Sequence, residues 1–229
     1  MNNENRSIIK EAFKLSIPVA TGFLPLGIAF GILMESIGYN WIYSGFFSLI
    51  AFAGSIQYLS ISLLTSSFNP VNAFLVSLMV NARHLFYGIS LMDKYSDSGK
   101  YKNYLIFAMC DETFSITSSL EIADKKTRNK MFFYVSLFDH FYWVLGSVIG
   151  GIIAGSIQFN SMGMDFALTA LFVVLFLEQM LKKENRLPGI IGFGASVLSL
   201  LVFGSSSMII PAMIIILVIF LFGGDRLCR

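Results

Sequence analysis

Two short stretches of this sequence set charged side chains among apolar ones in a pattern that could do chemistry. The first is Asn81-Ala82-Arg83-His84-Leu85-Phe86-Tyr87-Gly88. On a helix, spacings of three and four residues put Asn81, His84 and Gly88 on one face and Arg83 and Tyr87 on the neighbouring one. The second is Cys110-Asp111-Glu112-Thr113. Adjacent acids in a poorly solvated site repel, so one of them tends to keep its proton near neutral pH. Such a carboxyl is a natural proton carrier, and buried arginines normally face a partner or a water-filled cavity. Asn81, Arg83, His84 and Tyr87 are therefore candidates to bind a substrate, and Asp111 and Glu112 candidates to couple it to protons. A static reading stays open, in which Asp111 neutralises Arg83 and Glu112 faces an aqueous vestibule.

Other polar positions carry weaker signals. Gln57 lies beside Gly54, where binding and close packing of helices explain the sequence equally well. Asp139-His140 lies in the cytoplasmic third of the fifth span, where snorkelling toward water is possible. Asp165 opens an apolar run, where a carboxylate also stabilises a helix N-terminus. Pro18, Gly22, Pro25 and Gly27 interrupt the first apolar run, so Pro25 marks either a simple kink or a broken helix exposing backbone groups. Cys110 and Cys228 match no metal or redox spacing. The chain has no Gly-x-Ser-x-Gly, His-Glu-x-x-His or P-loop pattern, so neither a catalytic residue nor a metal or cofactor site is expected. No basic patch with interleaved aromatics suggests nucleic acid.

The elements that must hold these residues are written in the charge distribution. Of 229 residues, 55% are hydrophobic and 13% charged, about half the charge of a soluble domain. No charged residue or histidine falls in 36–82 or in 187–224, runs of 47 and 38 residues. About 20 apolar residues cross a bilayer, so each run holds two spans. Continuous apolarity favours helices over a barrel, whose strands alternate. The fold class expected is an all-α polytopic integral membrane protein of about eight transmembrane helices, some broken or short. They run 13–35, 41–64, 71–92, 104–120, 131–155, 164–181, 188–203 and 208–222. A polar N-terminal segment 1–12, without the features of a cleaved signal peptide, and a tail 223–229 flank a single membrane domain, 13–222.

With both termini cytoplasmic, twelve Lys and Arg fall on the inner side, and Lys94, Lys100 and Lys102 on the outer. The loop at 93–103 is the exception to the bias. Should it be cytoplasmic, one of the spans two to four must be re-entrant. An internal repeat is suggested in two incompatible ways. Gly27-Ile28-Ala29-Phe30-Gly31 is similar to Gly151-Ile152-Ile153-Ala154-Gly155, and Ala53-Gly54-Ser55-Ile56-Gln57-Tyr58 to Ala154-Gly155-Ser156-Ile157-Gln158-Phe159.

The Asn81–Gly88 motif, Asp111-Glu112-Thr113-Phe114, Ala53-Gly54-Ser55-Ile56-Gln57 and Met164-Asp165-Phe166-Ala167-Leu168-Thr169-Ala170-Leu171-Phe172 together resemble the AzlC family. These are large subunits of bacterial branched-chain amino acid exporters. The motifs follow the family's order over about residues 12–222. The resemblance implies a plasma-membrane secondary carrier exporting valine, leucine, isoleucine or a similar neutral amino acid. It also implies a small, separately encoded, hydrophobic AzlD-like membrane subunit. A channel, or an exporter of another small zwitterionic or polar solute, is the competing reading.

Overall fold

A computed structural model describes residues 3–65, 69–156, 166–181, 186–204 and 208–227. Among these, every regular element is a helix: α1 (Asn3–Ser36), α2 (Trp41–Ile50), α3 (Gly54–Thr65), α4 (Pro70–Val80), α5 (Ala82–Ser96), α6 (Lys102–Phe107), α7 (Asp111–Ser119), α8 (Lys125–Ser156), α9 (Phe166–Leu181), α10 (Arg186–Phe203) and α11 (Ile209–Leu227). A 3-10 turn, Gly99–Tyr101, leads into α6. Three stretches, 5–36, 125–156 and 186–203, are each long and apolar enough to cross a bilayer alone. The chain forms two compact units, 1–167 and 168–229.

The first unit is built on α1 and α8, which lie side by side and run in the same direction. Ile8 and Ala12 pack on Met131 and Val135 near their starts. Further along, Gly27 and Gly31 face Gly146 and Gly150, two small-x-x-x-small pairs that let the backbones touch. A Cβ on Gly27 would stand 2.8 Å from the Trp143 carbonyl oxygen, and one on Gly146 2.8 Å from that of Leu24. α1 begins at Asn3, so most of the polar segment 1–12 is helical. Pro18 and Pro25 both lie inside α1 and both face outward, so the candidate break at Pro25 is absent and the helix runs on. Termination comes at Gly38, whose φ of +91° suits glycine; Tyr39 N–H then bonds back to Met34 O at 3.0 Å.

Span two is broken at its middle into α2 and α3. α2 packs along the end of α8, with Gly45 against Val148 and Ser48 bonded to Ser147. It stops at Ala51, and α3 then turns back. Gln57 Nε2 donates to Ser48 Oγ at 2.9 Å, and the Phe30 ring meets both Phe47 and Tyr58, at 6.0 and 5.9 Å. Those contacts pair residues equally far before and after the break, as in a hairpin. At 1.5 Å per residue α2 and α3 reach about 15 and 18 Å, half a bilayer each.

Span three is α4 and α5, joined through Asn81, whose N–H still bonds to Ser77 O at 3.1 Å. Together they reach about 40 Å, enough to cross. Span four turns back like span two, from the opposite end. Tyr101 rests on Phe133, Tyr104 reaches His140, Thr113 bonds Asp139, and Leu120 returns to the cluster around Met131. α6 and α7 are thus the two legs of a second half-membrane hairpin, its tip at 108–110. Lys94 Nζ caps the far end of α7 by donating to Ser118 O at 2.7 Å.

α2–α3 and α6–α7 therefore fold back, and eight full crossings are not confirmed. The 93–103 stretch lies at the same end as the start of α8, and not at the opposite one as expected. Asp97 pairs with Lys125 at 2.5 Å, Asn129 Nδ2 donates to Asp97 O, and Lys130 bonds Asn5. Lys94, Lys100 and Lys102 accordingly share the end that carries Lys125, Lys126, Arg128 and Lys130. Every Lys and Arg of this unit except Arg83 belongs to this basic end, in the first halves of α1 and α8 or in the 93–102 stretch. The Lys125 ammonium holds the Asp97 carboxyl below its usual range; hydrogen bonds from Thr127 do the same for Asp124, the N-cap of α8.

Outward faces are apolar. Ile42, Tyr43, Phe46, Leu49 and Ile50 on α2, and Val71 and Phe74 on α4, are all exposed. Surfaces of that kind suit lipid and not water. In the second unit α10 and α11 pack together, and Phe193 of α10 meets Phe176 of α9 at 6.1 Å.

The second repeat alignment equates the start of α3, at Gly54 and Ser55, with the last described turn of α8, at Gly155 and Ser156. The first equates positions within the two long helices.

Candidate functional site

The two hairpin tips meet α8 at Asp139 and His140. Alanine and aromatic residues make the tip of the α2–α3 hairpin, Ala51-Phe52-Ala53, called outer because that hairpin starts away from the basic end; the inner tip, of the α6–α7 hairpin that starts at the basic end, is Ala108-Met109-Cys110. His140 is clasped between them. Its ring lies 4.7 Å from Phe52 of the first hairpin and 5.6 Å from Phe107 of the second. His140 Nε2 is 3.2 Å from Ser48 O, and Nδ1 is 3.1 Å from the Tyr104 hydroxyl. A carbonyl only accepts, so Nε2 carries the hydrogen, and a neutral ring then accepts from Tyr104 at Nδ1. One imidazole thereby ties both hairpins to α8.

Asp139 is completely buried. Its Oδ2 accepts from Thr113 Oγ1 at 2.9 Å, in the first turn of α7. Since the Thr113 hydrogen is committed there, the Cys110 thiol, 3.1 Å away, donates to Thr113 Oγ1. Asp139 Oδ1 is buried with no hydrogen-bond partner, as is Ser136 Oγ one turn earlier. A buried carboxylate oxygen without a partner is expensive in a poorly solvated interior.

A second network fixes the outer hairpin. Gln57 Nε2 donates to Ser48 Oγ, Ser48 Oγ to Ser147 Oγ at 2.7 Å, and Ser147 Oγ to Trp143 O at 2.9 Å. Trp143 Nε1 donates to Gln57 Oε1, closing the ring. Gln57, a sequence candidate for substrate, has its amide engaged at both ends here. Gly54 admits the Trp143 ring, since a Cβ would fall 2.9 Å from it.

Four helix ends lie at these tips: the C-termini of α2 and α6, carrying the negative ends of their dipoles, with Ser48 O already accepting from His140, and the N-termini of α3 and α7, carrying the positive ends. Asp111 and Glu112 occupy the first turn of α7, half-buried, and offset its positive end. Glu112 is within electrostatic range of Asp139. The first turn of α3 has no acid. Among the described residues, no group of three or more His, Cys, Asp or Glu is placed to hold a metal.

The Asn81–Gly88 motif is brought alongside. Tyr87 stacks on Phe114 of α7 at 4.3 Å and 15°, and Gly88 faces Met109. His84 Nδ1 lies 3.3 Å from Asn81 O, and Asn81 Oδ1 is buried without a hydrogen-bond partner. The Arg83 side chain and all of Asp165 lie outside the described residues. Asp139 lies where the two tips meet; Thr113 stood in the sequence only as part of a motif, whereas Phe52, Phe107, Tyr104 and Trp143 went unnoticed there. The available signal was the alternation of small and hydroxyl residues, Ser48 and Ser147 among them, along otherwise apolar helices.

Half-helices that fold back and meet at buried ionisable groups are the architecture of polytopic membrane transport proteins, where irregular backbone at membrane depth is enclosed by protein. The chain belongs to the AzlC family: the family model described as AzlC protein matches residues 18–157. It is 48% identical over 208 residues to the branched-chain amino acid transport protein AzlC of Bacillus subtilis, covering 91% of this chain and 82% of that one. It is 37% identical to an uncharacterised membrane protein of Haemophilus influenzae, over 90% and 84% of the two chains. With the inner membrane protein YgaZ of Escherichia coli the identity is 27%, over 76% and 74%. No solved structure matches.

Proposed function

We propose that this protein is the large subunit of a secondary transporter that exports branched-chain or related neutral amino acids across the bacterial plasma membrane, driven by the proton-motive force. It is a carrier and not an enzyme. A small hydrophobic AzlD-like subunit completes it. The observation that carries the reading is the meeting of two opposed half-membrane hairpins at Asp139 and His140, in a chain so similar to a branched-chain amino acid transport protein.

A zwitterion needs groups for both its charges and a wall for its side chain. The acid-free N-terminus of α3, or Arg83, suits the carboxylate. The carbonyl ends of α2 and α6, with Asp111 and Glu112, suit the ammonium and exchange protons with it or with water. Asn81, His84 and Tyr87 complete the chamber on the α5 side, and Phe52 and Phe107 offer apolar walls. The basic end faces the cytoplasm by the excess of Lys and Arg, and both chain termini share that side.

Counterflow of labelled isoleucine into proteoliposomes holding the protein and its partner tests the reading. Saturable uptake that unlabelled leucine and valine compete for is expected. Uptake no faster than in empty liposomes across a panel of neutral amino acids would refute it, and single-channel currents would make it a pore.

A further inference from the structure

Asp139 differs from the other acids of the site in burial. Asp111 and Glu112 are half-buried, whereas Asp139 is wholly enclosed. Its Oδ1 is buried with no hydrogen-bond partner. Around it stand Thr113, Cys110 and Glu112 from the inner hairpin, Tyr104 from α6, and His140 on α8 itself. His140 spends both nitrogens on Ser48 O and Tyr104. Among the described residues, no cation is hydrogen-bonded to the Asp139 carboxyl. Thr113 already gives its one hydrogen to Oδ2, and none of the described residues donates to Oδ1.

We infer that Asp139 is the carboxyl that holds the transported proton in the occluded state, with the O–H bond on Oδ1, and that its charge is read by the α6–α7 hairpin through Thr113. This deepens the proposed function and rests on it for the word transport. A neutral acid at this place removes the cost of a buried unpaired charge. When one hairpin withdraws and water reaches the tip, the Oδ1–H bond breaks. The proton leaves to that water as hydronium, or first to the Glu112 carboxylate, and the electron pair stays on Asp139. The resulting anion draws the Thr113 hydroxyl and the N-terminus of α7 toward itself, which resets the hairpin. Protonation from the opposite side completes the cycle, one proton crossing per turn.

The test uses the protein together with its small partner subunit. In the wild type, infrared difference spectra between acid and alkaline buffer should show a protonated-carboxyl band typical of a dry site, and Asp139→Asn should remove it. In sodium-free proteoliposomes Asp139→Asn should still exchange isoleucine, at a reduced rate, but lose accumulation driven by a pH gradient at least tenfold. Asp139→Glu should restore part of the coupling with a displaced pH midpoint. Thr113→Val, which deletes the bond to Oδ2 together with the one from the Cys110 thiol, should shift the band in frequency, and it decides the matter even where Asp139→Asn does not fold. A band untouched by both variants overturns the proposal. So does pH-driven accumulation at the wild-type level in Asp139→Asn. A folded Asp139→Asn that no longer gains thermal stability from isoleucine overturns it too, because Asp139 would then hold the substrate ammonium. Absence of counterflow in the wild type would refute the transport reading alone, since the band still reports on the proton.

Discussion

Replacing Gly150 by alanine puts a Cβ into the backbone of Ile28, where α1 and α8 touch. The neighbouring contacts give the scale. A Cβ on Gly27 or Gly146 would sit 2.8 Å from a carbonyl oxygen, where ordinary contact begins at 3.4 Å. The helices must therefore part by about 0.6 Å even at those milder positions, and by more at Gly150. Such a shift would stretch the α1–α8 bond between the Ser16 and Tyr142 hydroxyls from 3.1 Å toward the limit for a hydroxyl pair. Overpacking costs about 1–3 kcal/mol and a weakened buried hydrogen bond about 1 kcal/mol, while helix propensity returns up to about 1 kcal/mol. The net loss is about 1–3 kcal/mol, or roughly 3–10 °C in apparent Tm for a chain of this size. Gly22→Ala, in the same helix with nothing within 4 Å, is the control and should not lower Tm. The readout is thermal unfolding of the purified protein in detergent, followed by tryptophan fluorescence. Gly150→Ala and Gly146→Ala melting with the wild type would refute the backbone contact between α1 and α8, and with it the height at which the site is held.

Three further outcomes follow from the same geometry. Reporter fusions at Gly99, at Arg186 and at the C-terminus should all read cytoplasmic; a periplasmic signal at Gly99 would undo the re-entrant assignment of α6 and α7. Asp97 and Asp124 have carboxyls held below the ordinary aspartate value of 3.8, so their stabilising effect is present above that value and fades as pH falls through the lowered one. Asp97→Asn should remove part of the acid-side loss of Tm, and less so in high salt; an unchanged acid limb would contradict the Lys125 pairing. Glu112→Gln should slow pH-driven accumulation severalfold without abolishing it, and complete uncoupling there would move the proton-holding role from Asp139 to Glu112.

Much of this arrangement could be read before any coordinates, for definite reasons. Long charge-free runs are a demand of the bilayer itself, so α1 and α10 were legible from composition alone. The buried polar motifs were legible because such groups are costly in lipid wherever they fall. What stayed hidden was direction. Ala51-Phe52-Ala53 and Ala108-Met109-Cys110 contain no proline, glycine or charge, so apolar spans two and four look continuous. Their reversal is set by contacts distant in sequence, Gln57 on Ser48 and Thr113 on Asp139. Pro25 misled in the opposite sense: a helix breaker by rule, it sits on the outward face of an unbroken α1, where its missing N–H affects no packing partner. The basic bias contained the clue to the inner hairpin, because Lys94, Lys100 and Lys102 broke the pattern only while span four was taken to cross.

The account stands or falls on whether the two tips line one substrate path entered from opposite sides. With Cys228 replaced by serine, Cys110 remains as a native probe at the inner tip; Ala53→Cys, in a background that also lacks Cys110, probes the outer one. A membrane-impermeant thiol reagent should label Cys110 from the cytoplasmic side and residue 53 from the periplasmic side, and isoleucine should slow both reactions. Labelling of the two positions from the same side, or at rates that isoleucine leaves unchanged, would contradict it.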